Sequence, residues 1–184
     1  MKGFIFTNFI DFIEISYGLE MVDKMIYSSD LKSNGIYTAF NSYEFSELVT
    51  MLNYVCSNTE ITPEIALEKF GQFVFPYLIG KHDYIISKYQ DPLSLIAGIE
   101  NHIHTEVKKL YEDAELPTFS LVEKNKNSLT IIYQSKRGLT YFAIGLMKKT
   151  LEYFDVKGDV LIDENFNGAE RDAVKFIITV QDQK

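Results

Sequence analysis

Cysteine is almost missing from this chain: Cys56 is the single one in 184 residues. That excludes an internal disulfide and a cysteine-rich zinc site. Positive charge is scarce as well. Eighteen Lys and Arg against 26 Asp and Glu leave a formal net charge of −8, whereas a phosphate-binding surface needs clustered cations. The pairs Lys108-Lys109 and Lys148-Lys149 read as solvated helix faces, so no nucleic acid is expected as a partner. Long apolar runs are lacking too, and none approaches the roughly 18 to 20 residues of a membrane span. Phe4, Ile5, Phe6, Phe9 and Ile10 imitate a signal peptide, but Asn8, Asp11 and Glu14 interrupt them. Only Lys2 precedes them and no small-residue cleavage site follows, so a cytoplasmic chain without a membrane partner is expected. Finally, no Ser-His-Asp set, paired-carboxylate site, P-loop or Gly-rich dinucleotide turn is visible, and an enzyme is not expected. Glu100 and Glu106, which flank His104, read as solvated.

What is present is 46% hydrophobic and 24% charged, enough for one globular domain with two lobes. The first two thirds read as helices. Ile5, Phe9, Phe12 and Ile13 share a face of a helix that Gly18 ends, and a second helix follows over about 19–27. Phe45, Leu48, Val49 and Leu52 make a third. Thr62 and Asp91, each followed by proline, give two cap-plus-proline helix starts. Pro76 is expected to kink or end the first of these near Phe75. The second carries His104 in its last turns. From Pro117 the period changes to short β-type runs at 118–122, 129–133, 160–163 and 174–180. Asn125-Lys126-Asn127 is read as a hairpin turn, and 138–154 as an amphipathic helix. The expected class is α+β: a helical N-terminal lobe, then a four-stranded antiparallel sheet with helices packed on it.

Two places carry chemistry. Tyr133, Ser135 and Arg137 alternate in the run IIYQSKR, so in an extended strand a phenol, a hydroxyl and a guanidinium converge on one face. All three donate hydrogen bonds, and the guanidinium fork matches a carboxylate. Upstream, His104 shares one helix side with Leu93, Ala97, Val107 and Tyr111, an apolar wall for a flat macrocycle. Taken alone, a helical histidine is more often structural, and a Tyr-x-Ser-x-Arg run is more often a polar strand end. Together, one imidazole and one carboxylate clamp suggest haem, held by its iron and its propionates. His102 lies about 200° around the helix from His104 and cannot share its iron. His82 reads as a solvated turn residue.

The runs HTEVKKLY, ELPTF and YQSKR, with MKGFIF, YGLE and EKFGQFVFPYL before them, resemble the haem nitric oxide/oxygen-binding (H-NOX) family, related to the haem domain of soluble guanylate cyclase. The resemblance runs from Met1 to the last strand. It implies a single H-NOX domain over 1–184, with a helical lobe at about 1–62 and a haem-binding lobe at about 63–184, and haem b between them. It also implies His104 as proximal iron ligand, Tyr133, Ser135 and Arg137 as the propionate clamp, and Pro117 packed on the haem. No cysteine follows residue 56, so the zinc site of some relatives is not expected. The distal pocket maps onto Ile5, Phe9, Val74, Leu78, Phe142 and Leu146, none with a hydrogen-bond donor. Oxygen-binding members carry tyrosine where this chain has Phe142, so NO and CO are the expected ligands and stable O2 binding is not. Tyr141, about 100° away on the helix, would reverse that if it faced inward. With no kinase, cyclase or methyl-accepting segment in the sequence, the signal is expected to pass to a separate protein, in bacterial relatives usually a histidine kinase or a diguanylate cyclase. A module holding a fatty acid or a protein helix in the same cleft, without haem, is the alternative.

Overall fold

A computed structural model of the chain describes residues 1–81, 83–168 and 172–181; His82 lies outside them. The chain opens with α1 (Gly3–Tyr17) and α2 (Leu19–Ser28), divided at Gly18, whose φ of 85° turns the backbone where a side chain would be strained. After a long connection come α3 (Phe45–Ser57) and α4 (Pro63–Lys81). Thr62 caps α4 as expected, its hydroxyl accepting from Ile65 N–H at 3.4 Å. Phe6, Phe9 and Phe12 of α1, Leu48 and Met51 of α3, and Phe70 and Val74 of α4 bury one another in a first core.

Pro76 does not end α4, which continues through it to Lys81. Proline removes one backbone donor, but the packing on either side outweighs that loss: Phe75 is buried, its ring 5.9 Å from Tyr153 on the neighbouring helix. A short α5 (Asp83–Ile86) follows.

The next stretch departs from expectation most. Asp91 caps α6 (Pro92–Ala97) by accepting from Ser94 N–H at 2.8 Å. The helix is then interrupted by a π-helical turn, Ile99–Ile103, before α7 (His104–Leu110). His104 therefore opens a helical segment and does not sit in its last turns. The wider turn also spoils the simple 3.6-residue alignment of His104 with Leu93 and Ala97. Tyr89 braces the place. Its hydroxyl is 2.6 Å from His102 Nδ1, and a Cβ on Gly98 would lie 2.1 Å from it, so a larger residue there would have to displace the Tyr89 ring. His102 itself is exposed.

β1 (Thr118–Lys124), β2 (Ser128–Gln134), β3 (Gly158–Ile162) and β4 (Ala173–Val180) form one antiparallel sheet in the order β1-β2-β4-β3. Asn125 N–H donates to Ser128 O at 2.8 Å in the β1–β2 turn. Along β2, Leu129, Ile131 and Tyr133 are buried and their neighbours are not, the period-2 signature of one covered face. With α8 (Thr140–Tyr153) and Leu93 and Ile96 of α6, these residues make a second core.

α4 and α8 cross at backbone contact. A Cβ on Gly71 would lie 2.3 Å from Phe142 O, and one on Gly145 would lie 2.0 Å from Glu68 O. Along α8, Phe142 joins the first core while Ala143, Ile144, Met147 and Leu151 join the second.

Candidate functional site

His104 is buried at the start of α7. Burial pushes its imidazole below the ordinary histidine value, against the pull of the Glu100 carboxylate four residues earlier. Glu100 Oε2 lies 3.3 Å from His104 Nδ1 and accepts from the Phe119 backbone N–H at 3.0 Å. Glu100 is thus engaged and only partly solvated, its side chain 31% exposed. This contact to His104 was not anticipated from the sequence. The four-residue spacing of Glu100 from His104, which stacks side chains on adjacent helical turns, was the available signal. Glu106 points elsewhere, accepting from Tyr84 and Lys109.

From His104 a line of rings runs into the sheet. Phe119 lies 5.6 Å from the imidazole, Tyr133 is 5.2 Å from Phe119, and Phe176 is 5.6 Å from Tyr133. The register explains it, since Phe119 pairs with Tyr133 and Tyr133 with Val174 on one face. Tyr133 is 2% exposed. Burial raises its phenol, opposed by a hydrogen bond with Ser135 and by the Arg137 charge. Ser135 and Arg137 lie beyond the end of β2 at Gln134, so the strand alternation that joins them in sequence covers only Tyr133. The three side chains still interact, with Ser135 hydrogen-bonded to Tyr133 and the Arg137 charge felt there, and Ser135 Oγ accepts from the Arg137 backbone N–H at 3.3 Å.

The Arg137 fork already holds a carboxyl group. It donates to Glu115 Oε2 and, at 2.6 Å, to Glu115 O. Arg137 is mostly covered, at 17% exposed, while Glu115 reaches into solvent at 82%. Glu115, Leu116, Thr118, Gln134, Ser135 and Arg137 line a cavity of about 350 Å³ here. The amino group of Met1, at the tip of the helical lobe, lies within electrostatic reach of both Arg137 and Glu115. Burial is the main cause that holds this amine below its usual value, and the Arg137 charge adds to it. Pro117, just before β1, is half-buried.

The residues mapped to a distal wall fall on α1, α4 and α8. Phe9 and Val74 are fully buried, whereas Ile5, Leu78, Phe142 and Leu146 keep part of their surface open. Phe70 lies between Phe9 and Phe142, with ring centroids at 5.1 and 5.2 Å. Tyr141 is among the exposed residues, 36% open.

These residues suit haem on their own chemistry. A buried imidazole offers a nitrogen, partly open aliphatic and aromatic side chains lie on α1, α4 and α8, and a guanidinium at the sheet end already grips a carboxylate. Among the described residues no group of three or more His, Cys, Asp or Glu could hold a bare metal ion, and no helix is long and apolar enough to cross a membrane.

A family profile described as Haem-NO-binding matches residues 2–162. Among solved structures, the chain is similar to the unliganded Fe(II) H-NOX protein from K. algicida. That pair is 42% identical, with a TM-score of 0.92 over 100% of this chain and 98% of that one. It is also similar to the H-NOX from Shewanella woodyi in the Fe(II)CO state, at 34% identity and a TM-score of 0.82 over 97% and 94%. The H-NOX protein from S. oneidensis in the Fe(II)NO state is 28% identical, with a TM-score of 0.87 over 99% and 100%. No curated protein matches the chain.

Proposed function

This chain belongs to the Haem-NO-binding (H-NOX) family, and from that premise we propose that it is a haem-based sensor of NO, able also to bind CO. Family membership and the Fe(II) relatives support a haem cofactor; haem b is our reading of it. Bound ferrous haem would supply an iron centre to which diatomic gases coordinate. Residues 1–184 are then a single domain, with a helical lobe at about 1–62, a haem-binding lobe at about 63–184 and the cofactor at the seam.

The observation that carries this reading is the disposition of His104. Its Nδ1 is turned to Glu100, so Nε2 is the nitrogen left to ligate iron. Tyr133, Ser135 and Arg137 would hold the two propionates, with Arg137 exchanging the Glu115 carboxylate for one of them. Pro117 would pack against the ring.

Ile5, Phe9, Val74, Leu78, Phe142 and Leu146 would exclude water from the gas side and offer no hydrogen-bond donor. Such a wall disfavours a ligand that gathers negative charge on binding, as O2 does, and leaves NO and CO unaffected. Relatives with NO- and CO-ligated iron support those two ligands. On NO binding, weakening of the tether through His104 would free α7 and the helical lobe to shift against the sheet, a two-state change biased by ligand. The output would pass in the cytoplasm to a separate effector, a histidine kinase or a diguanylate cyclase, without catalysis by this chain.

An absorption spectrum of the reduced, purified protein before and after NO tests the proposal. A haem band that NO converts to a five-coordinate nitrosyl signature is expected. A colourless protein that refuses added hemin would overturn it in favour of a module that fills the cleft otherwise.

A further inference from the structure

Glu100 occupies an unusual junction. It belongs to the π-helical turn, His104 opens α7 and Phe119 lies in β1, yet one carboxylate oxygen accepts from both of the latter. The imidazole contact, at 3.3 Å, is long, as expected where one oxygen divides itself between two donors. For Nδ1 to donate to a carboxylate it must carry the proton, which fixes the tautomer and leaves the Nε2 lone pair outward. Phe119 is also the residue whose ring lies against the imidazole and against Tyr133. The same side chain therefore fixes the ring's orientation and fastens it to the sheet.

We propose that Glu100 is the positioning residue for His104, holding the imidazole in its iron-ready tautomer and coupling any displacement of that ring to β1 through the Phe119 amide. This rests on His104 being the iron ligand. Displacing the ring strains or breaks the shared acceptor, so β1 registers the state of the imidazole without touching the ligand side.

The test compares wild type, Glu100→Ala and Glu100→Gln as purified ferrous proteins. It reads the iron–imidazole stretching band, the rate of haem loss and hydrogen exchange at the Phe119 amide. Glu100→Ala is expected to lower the band frequency, to speed haem loss about 10- to 100-fold, as for other partners of metal-bound histidines, and to speed Phe119 exchange by about tenfold or more. Glu100→Gln retains an acceptor oxygen without the charge, so its band should shift less and its Phe119 amide should stay protected. The proposal is overturned if Glu100→Ala keeps either the wild-type band or the wild-type exchange rate. Should Glu100→Ala fail to fold, an unmoved band in Glu100→Gln overturns it equally. A wild-type protein that takes up no haem would sink the functional reading instead, and exchange at Phe119 would still decide the Glu100 link.

Discussion

The two cores differ in what their polar groups do. In the first core, built chiefly from α1, α3 and α4, they are closed in on themselves. Glu47, 6% exposed, accepts from Tyr37 Oη at 2.8 Å and from the Ser33 hydroxyl. Burial, more than the Glu47 contact, holds the Tyr37 phenol well above its usual value. This group ties the connection between α2 and α3 to the core and leaves nothing open to a guest. The remainder is aromatic packing, with Phe6 stacked on Tyr37 at 4.6 Å and Phe9, Phe12 and Phe70 in mutual contact. On the sheet side, His104 is buried with one ring nitrogen turned to Glu100, and Arg137 keeps its donors on the exposed Glu115 at the end of the sheet. On the proposed reading the first core is a wall and the sheet end carries the anchors, so a substitution in the first should cost stability and one at the anchors should cost haem.

The strongest challenge to that division is His104→Ala. Haem content should fall by at least about tenfold, the lower end of what losing even an outer partner costs a metal site, while the thermal midpoint of the haem-free protein stays close to that of haem-free wild type. Pigment retained unchanged would break the contrast. Phe70→Ala should do the reverse. Truncating a ring that contacts Phe9, Phe12 and Phe142 should lower unfolding free energy by about 3–5 kcal/mol, measured in urea, with His104 ligation intact spectroscopically.

Phe142→Tyr sharpens the comparison by placing a donor on the wall. One hydrogen bond is worth about 1 kcal/mol, so reduced protein should gain measurable O2 affinity, and an unaltered spectrum in air would contradict the pocket assignment. The smallest effect concerns the lobe contact at Asp113, whose carboxylate takes Lys2 Nζ at 2.7 Å and Ser42 Oγ at 2.9 Å. Hydrogen bonds from Lys2 and then Ser42 hold it below the ordinary aspartate value of 3.8. A depressed carboxylate stabilises the fold above its unfolded value and ceases to as pH falls through its folded one. The slight difference in denaturation midpoint between wild type and Asp113→Asn should therefore be present at about pH 5 and vanish toward about pH 2. A difference independent of pH would show that charge is not involved.

Legibility in the sequence followed locality. Thr62-Pro63 and Asp91-Pro92 announce helix starts because capping is settled within four residues, and the alternation of Leu129, Ile131 and Tyr133 announces a covered strand face. Whether α4 ends at Pro76 or passes through it stayed open in the sequence, because contacts such as Phe75 with Tyr153, far apart in sequence, override a local penalty. The π-helical turn at Ile99–Ile103 has no periodic signature of its own, and its brace, Tyr89 against Gly98 and His102, comes from ten residues upstream. Glu100 was misjudged for a related reason. A glutamate on a helix is usually wet, and the Phe119 amide that engages this one arrives from β1, nineteen residues on. The distal wall was placed through family resemblance, since any apolar core would have offered similar residues.

α8 serves two interiors at once: Phe142 faces one and Ile144, Met147 and Leu151 the other, while Tyr141, Lys148, Glu152 and Tyr153 are left to water. Melting either interior therefore strips this helix of half its support, and the survivor loses its lid. Two interiors that share a party wall cannot be demolished separately, so heat or denaturant should take the molecule apart in a single all-or-none transition despite its bipartite plan.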